Sequence, residues 1–433
     1  MAAQSRISVT PQPALLDQPL AIATTGLPAG SSVTVRAAQR DALDRRWESW
    51  ARFTADADGA LDLTSKPEEG SYATADPNGL LWSMELQPEQ GEPTPFAFPG
   101  LGPLMTTLTA EVDAEVVAEA VVERRLLAPG VRQRTIAEGE LRGELFTPPG
   151  DGPFPTLLCV SGSGGGIRGA VETAALLASH GYATLALAYF NYPDRPPYLI
   201  EIPLEYFQNA LGWLAAQPEV DGARLGVLGR SRGGELALLL GATFPELRAV
   251  VAYVPSGVVH GGIGEDSAGR SAWTFHGRPV AFLRDQVTPE QDAAIFSAEP
   301  ITLTPRFELN LEDRQAVADA LIPVERINGP VLLLSGEADR LWPSTRLANI
   351  AEERLAEFNH SYPVRHLRYR DVGHSITLPG LPTTVTTIRH PIRKQVFELG
   401  GEPQAQAAAN RDSWQNVLAF LAEALAPSSQ PTD

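Results

Sequence analysis

The chain has 433 residues, 43% hydrophobic and 20% charged, which is long enough for more than one hydrophobic core and too apolar for wholesale disorder. Its 34 basic and 52 acidic side chains leave a formal charge of −18, so no nucleic acid is expected as a partner. A single cysteine, Cys159, excludes an internal disulfide, and no run of about 18 apolar residues is present to span a bilayer.

The opening residues MAAQSRISVTPQPALL hold no apolar stretch of signal-peptide length, and the expectation is a cytoplasmic protein without membrane insertion. From residue 1 to about 130, short alternating segments are broken by turn residues, the pattern of antiparallel strands with one solvated face. Over 31–37 the alternation puts Val33, Val35 and Ala37 on one face, and over 106–112 it does the same for Leu108, Ala110 and Val112. The tetrapeptide DPNG at 76–79 predicts a turn leading into a strand over 80–86. Trp47, Trp50 and Trp82 are expected in the core of a β-sandwich that occupies residues 1–130.

Past residue 130, apolar runs of four to six residues alternate with helix-like stretches, which implies parallel strands covered by helices. Strands are expected at 156–160, 183–190, 225–229, 249–254, 331–336 and 364–370, and helices at 173–182, 204–217 and 413–425. Gly181 closes the first of these helices. Residues 255–325 break the rhythm and are expected as an insertion over the sheet, while 428–433 reads as a disordered tail.

The chemistry concentrates at Gly229, Arg230, Ser231, Arg232 and Gly233, which fit G-x-S-x-G between an apolar strand and a helix-like run. Ser231 is the candidate nucleophile, since glycines on both sides let the chain turn sharply and hold the hydroxyl in the open. A serine capping a helix is the competing reading of the motif by itself. Chain order favours the nucleophile: Asp339 follows the strand at 331–336, and His374, beside Gly373, follows the strand at 364–370. Ser, then acid, then His is the order of an α/β-hydrolase domain, here placed at 131–427 with a mostly parallel, doubly wound sheet. Glu337 is the rival acid and ranks below Asp339.

Six further histidines, His180, His260, His276, His360, His366 and His390, lie at helix ends, beside strands, in the insertion or past the last loop. None pairs at ligand spacing with a carboxylate, so no metal is expected. One oxyanion donor is expected from the backbone N–H of Arg232, and a second from Ser163 or Gly164 in the glycine loop SGSGGG at 161–166. That loop lacks G-K-[ST], and no acidic residue closes the next strand, so no nucleotide cofactor is expected. Arg230 and Arg232 are read as paired with acidic neighbours such as Glu235, or as attractors of an anionic acyl donor.

With these residues in view, the chain resembles the family of acyl-CoA thioesterases and bile acid-CoA:amino acid N-acyltransferases. The similarity runs through GSGGGIRGAVETAALLASHGYATLALAYF, LEYFQNALGWL, GRSRGGELAL, IPVERINGPVLLLSGEADRLWPS, VGHSITLPGLPTT and GGEPQAQAAANRDSWQNVLAFL. Toward the N-terminus it includes VTPQPALLDQPLAI and ADPNGLLWSMEL. The resemblance implies an immunoglobulin-like β-sandwich ahead of the α/β-hydrolase domain, and Ser231, Asp339 and His374 as the triad. In this family the amino-acid transferases typically carry cysteine where this chain has Ser231, so the resemblance favours hydrolysis of an acyl thioester. The expected substrate is an acyl-CoA, split to free acid and CoA through an acyl-serine. Acyl transfer to an amino acid, oxygen-ester hydrolysis and a non-catalytic scaffold are the alternatives.

Overall fold

The computed structural model describes residues 4–91 and 94–427, and the tail expected at 428–433 lies outside the described residues. Two compact units are present: Met1–Ala128 with Thr377–Thr387 and Glu402–Arg411, and Pro129–Ile376 with Ile388–Gly401 and Asp412–Asp433.

In the first unit, alternating apolar residues drive the strands Ser32–Arg40 and Arg46–Thr54, whose inward positions are buried along their whole length. They pair antiparallel with Val33 opposite Phe53, and Leu104–Val112 joins the other edge with Val35 opposite Ala110. Glu115–Arg125 and three two-residue strands complete a seven-stranded sheet. Val33, Val35, Ala37, Leu108 and Ala110 are fully buried, as their alternation predicts. The covering layer is thin: a two-stranded ribbon of Arg6–Thr10 and Ala21–Thr25 brings Ile7 into the same core cluster as Leu61, Leu80 and Trp82.

Two local expectations need correction. Residues Gly79–Trp82 form a helical turn, and only Glu85–Leu86 is strand. Asp76 causes this, because its carboxylate accepts from Asn78 N at 2.8 Å and from Trp82 Nε1 at 2.9 Å, winding the segment back on itself. Trp50 is half-exposed, on the face of its strand opposite Trp47, with the Arg52 guanidinium 5.8 Å above its ring.

Residues 377–387 and 402–411, which by sequence fall in the second domain, belong to the first unit. Thr383 N donates to Trp82 O at 3.0 Å, Thr384 Oγ1 to Met84 O at 2.6 Å, and Arg411 Nη2 to Asp76 at 3.3 Å. Contacts across 300 positions leave no trace in local periodicity.

The second unit is built on an eight-stranded sheet of β1 (Arg132–Glu138), β2 (Leu141–Thr147), β3 (Phe154–Val160), β4 (Ala183–Ala188), β5 (Val220–Arg230), β6 (Leu247–Tyr253), β7 (Val331–Gly336) and β8 (Val364–Tyr369). Their spatial order is β1-β2-β4-β3-β5-β6-β7-β8, parallel from β4 onward and antiparallel across β1, β2 and β4. This is an α/β-hydrolase fold. The covering helices α1 (Arg168–Ala178), α2 (Leu204–Ala215), α3 (Arg232–Thr243) and α4 (Ser344–Glu357) connect successive parallel strands. Helices on both faces explain why β4 and β7 are buried at every residue and β3 nearly so. The first two strands carry no apolar run: β1 is an edge strand whose only buried residue is Ile136. Residues 255–325 hold two short strands and the helices Pro289–Ile295, Thr304–Asn310 and Arg314–Asp319. Among the described residues no helix is long and apolar enough to cross a membrane.

Candidate active site

Ser231 is the single residue between β5 and α3, at φ 58° and ψ −123°. An L-residue held there stores roughly 1–3 kcal/mol, which the surroundings must enforce. They do so through the backbone: Ser231 N donates to Tyr253 O on β6 at 2.9 Å, and Glu235 N closes the first turn on Ser231 O at 3.0 Å. Gly233 completes the elbow, since a Cβ there would stand 2.5 Å from Ser161 O at the end of β3. Ser231 occupies the N-cap position, yet its side chain makes no capping hydrogen bond. The hydroxyl is therefore not consumed by the helix.

Asp339 lies in the loop after β7. Its Oδ1 accepts from Leu341 N at 2.9 Å and Trp342 N at 3.2 Å, and its Oδ2 lies 2.8 Å from His374 Nδ1. The backbone donors fix the carboxylate, and the carboxylate fixes the ring: Nδ1 carries the proton, and in the neutral imidazole Nε2 presents a lone pair. His374 sits in the loop after β8, with its N donating to Leu399 O at 2.8 Å and Trp342 packed edge-on at 5.9 Å. Its Nε2 is buried and has no hydrogen-bond partner. Glu337, the rival acid, is exposed.

The structure thus brings Asp339 and His374 into contact, while no hydrogen bond joins His374 Nε2 to Ser231 Oγ. All three residues follow the C-terminal ends of strands, and the register links those ends: Arg230 lies opposite Tyr253, Tyr253 opposite Leu334, and Gly336 opposite Tyr369. Hydrogen bonds of a catalytic site are commonly long in the free enzyme and tighten with substrate.

Ser231 opens on a cavity of about 450 Å³ whose lining includes Ser163, Arg232, His260, Phe307 and Trp342. That size suits a small organic ligand. The Arg232 side chain is held by an ion pair with Glu235 at 3.2 Å and a bond to His260 O at 3.0 Å. Glu235 also accepts from Trp273 Nε1 at 3.0 Å, and burial pushes its carboxyl up to about 7 against the opposing pull of Arg232. Arg230 lies 5.3 Å over the Tyr253 ring. Both flanking arginines are thereby engaged within the protein.

The glycine loop after β3 runs against the elbow: a Cβ on Gly162 would lie 3.4 Å from Ser231 Cβ and 2.9 Å from Arg230 O. Three bonds pin the loop, from Tyr189 Oη to Ser161 O (2.6 Å), from Asn191 Nδ2 to Gly164 O (2.7 Å) and between His390 Nε2 and Ser163 Oγ (3.0 Å). Ser163 lines the cavity, whereas Gly164 does not and is packed against Pro391.

Two buried histidines at this cavity were not foreseen as part of the site. His260 Nε2 lies 3.0 Å from Ser256 Oγ, whose proton goes to Val258 O at 2.8 Å, so the imidazole donates. Burial, reinforced by Arg232, holds the His260 pKa well below its ordinary value. His390 reaches Ser163 across 227 positions. No spacing signal connects either pair with Ser231. Among the described residues no cluster of three His, Cys, Asp or Glu side chains gathers to hold a metal.

Comparison with known proteins agrees with this architecture. Residues 17–138 match the acyl-CoA thioester hydrolase/BAAT N-terminal region, and residues 202–427 match the BAAT/acyl-CoA thioester hydrolase C terminal. The chain is 35% identical over 421 residues to acyl-coenzyme A thioesterase 2, mitochondrial, of Mus musculus, spanning 95% of this chain and 88% of that protein. It is 33% identical over 415 residues to acyl-coenzyme A thioesterase 6 of Mus musculus, spanning 94% and 93%. With the peroxisomal succinyl-coenzyme A thioesterase of Mus musculus it shares 32% over 422 residues, spanning 94% of each. Similarity of this extent, over both the sandwich and the hydrolase sheet, establishes that the chain belongs to the BAAT/acyl-CoA thioester hydrolase family.

Proposed function

We propose that this protein is a serine acyl-CoA thioesterase in which Ser231 is the nucleophile, His374 the general base and then acid, and Asp339 the group that orients His374. The observation that carries this reading is a strained serine elbow whose hydroxyl is spared from helix capping, at the same sheet edge as a buried carboxylate–imidazole pair.

In the first step His374 Nε2 takes the Ser231 proton as Oγ attacks the thioester carbonyl. The oxyanion meets the backbone N–H of Arg232 and that of Ser163 or Gly164. Collapse expels CoA, whose sulfur receives the proton from His374. A water molecule, deprotonated by the same imidazole, then attacks the acyl-serine, and the free acid leaves as Ser231 is reprotonated. General-base assistance contributes about 10²–10⁴ in rate, and each oxyanion donor about 10²–10³.

The test is CoA thiol release from acyl-CoAs of graded chain length, with wild type and Ser231→Ala side by side. Turnover by wild type and a loss of several orders of magnitude in the variant, with an unchanged circular dichroism spectrum, is expected. Full activity of Ser231→Ala contradicts the reading, and amide forming faster than free acid when glycine or taurine is added replaces hydrolysis by transfer. A cytoplasmic location is part of the same proposal, resting on the single, buried Cys159. Fractionation of the source cells checks it.

A further inference from the structure

Ser163 and His390 form a second serine–histidine pair at the cavity, 3.0 Å apart, and the direction of its hydrogen bond follows from the backbone around it. His390 Nδ1 faces two donors, Ile392 N at 3.2 Å and Arg393 N at 3.1 Å. A nitrogen facing two N–H groups must accept, and a neutral imidazole carries one proton, which is therefore on Nε2. Burial first, then Arg393 and Lys394, push the His390 pKa down to about 4, so the ring is neutral near pH 7.

The consequence lies at Ser163. Its oxygen accepts the Nε2 proton, so its own hydroxyl proton points elsewhere, and no acceptor among the described residues takes it. The pair is thus reversed relative to a nucleophile and its base: His390 cannot remove the Ser163 proton. Ser163 stands next to Gly162, which lies against Ser231, and both serines line the cavity. With one of its two lone pairs occupied and its proton unassigned, this hydroxyl has its donor available to a group in the cavity.

We propose that Ser163 Oγ–H is an additional oxyanion donor for the acyl carbonyl, and that His390 is a positioning residue that orients this hydroxyl by occupying one of its two lone pairs. The proposal rests on Ser231 being the nucleophile, and it adds to the backbone donors a side-chain donor held by a residue remote in sequence. It assigns His390 a role beyond tethering the glycine loop.

A double-mutant cycle on the full chain separates the two roles. Ser163→Ala is expected to lower kcat about 10²-fold with KM changed by less than about threefold, as loss of a transition-state donor does. His390→Ala should lower kcat in the wild-type background and leave it unchanged in the Ser163→Ala background, and His390→Gln, which keeps an N–H donor, should restore part of the loss. A role of His390 that does not run through the Ser163 hydroxyl predicts instead an equal drop in both backgrounds with no rescue. That result, or full kcat in a folded Ser163→Ala, overturns the proposal. Ser231→Ala measured alongside separates the failures. If it is inactive while Ser163→Ala is fully active, only the donor assignment falls; if it is fully active, the nucleophile reading falls and takes this inference with it.

Discussion

Asp339 holds His374 by a 2.8 Å contact between Oδ2 and Nδ1 while its other oxygen is anchored by two backbone N–H groups, so one buried carboxylate fixes both the tautomer and the orientation of the imidazole. Replacement by asparagine keeps the shape and can present an N–H to Nδ1, which favours the wrong tautomer. Asp339→Asn is expected to lower kcat by about 10³–10⁴ without loss of fold, whereas Glu337→Gln, at an exposed position, should stay within about threefold of wild type. Thiol release at saturating acyl-CoA reads both.

The Arg232–Glu235 pair gives a pH signature of stability. Burial raises the Glu235 carboxyl from 4.5 to about 7 and lowers the Arg232 guanidinium, so desolvation outweighs their attraction. A carboxyl with a raised folded pKa binds more protons when folded, so its stabilising contribution is full below about pH 4.5 and is lost as pH rises through about 7. Wild type should therefore lose urea stability relative to Glu235→Gln between those limits. Arg232→Met, which strands the carboxylate, should cost about 3–5 kcal/mol at pH 8.

Glycines of the second unit should respond to alanine according to their neighbours. Gly233→Ala sets a methyl 2.5 Å from Ser161 O, where neither backbone can yield. The expected cost is about 1–3 kcal/mol of stability and, through displacement of the elbow, about 10²-fold in kcat. Gly169, in the first turn of α1, has nothing within 4 Å of such a methyl. Gly169→Ala should stabilise by about 0.4–1 kcal/mol and leave activity unchanged. Thermal midpoints together with turnover numbers distinguish the two.

Cys159 lies on β3 and is fully buried, and burial pushes its thiol up to about 12. The native protein should show no reaction with a disulfide-exchange thiol reagent at pH 8, and one equivalent after denaturation in urea. Thiol-release assays with such a reagent should accordingly leave the enzyme itself unmodified.

Much of this was legible in the sequence, and the boundary has physical causes. Strands β3 to β7 announce themselves because burial on both faces demands continuous apolar runs, and the elbow does so because a strained turn demands glycine. Ser231, Asp339 and His374 are separated by chain order alone, which the parallel sheet converts into adjacency of strand ends. By contrast, β1 and β2 pair antiparallel at an exposed edge and carry polar residues, so periodicity missed them. Asp76 overrides the strand pattern of 80–86 through side-chain bonds, and Trp50 defeats the expectation that tryptophan is core. The Ser163–His390 and Ser256–His260 pairs depend on loop geometry and side-chain direction, neither of which composition or spacing encodes.

The most direct test of Ser231 as the acyl-carrying nucleophile is mass mapping after reaction with a fluorophosphonate. One adduct per chain, located on the peptide containing residue 231 and absent from Ser231→Ala, is the predicted result. An adduct on Ser163 or Ser256, or no adduct on a protein that still hydrolyses acyl-CoA at full rate, would contradict it.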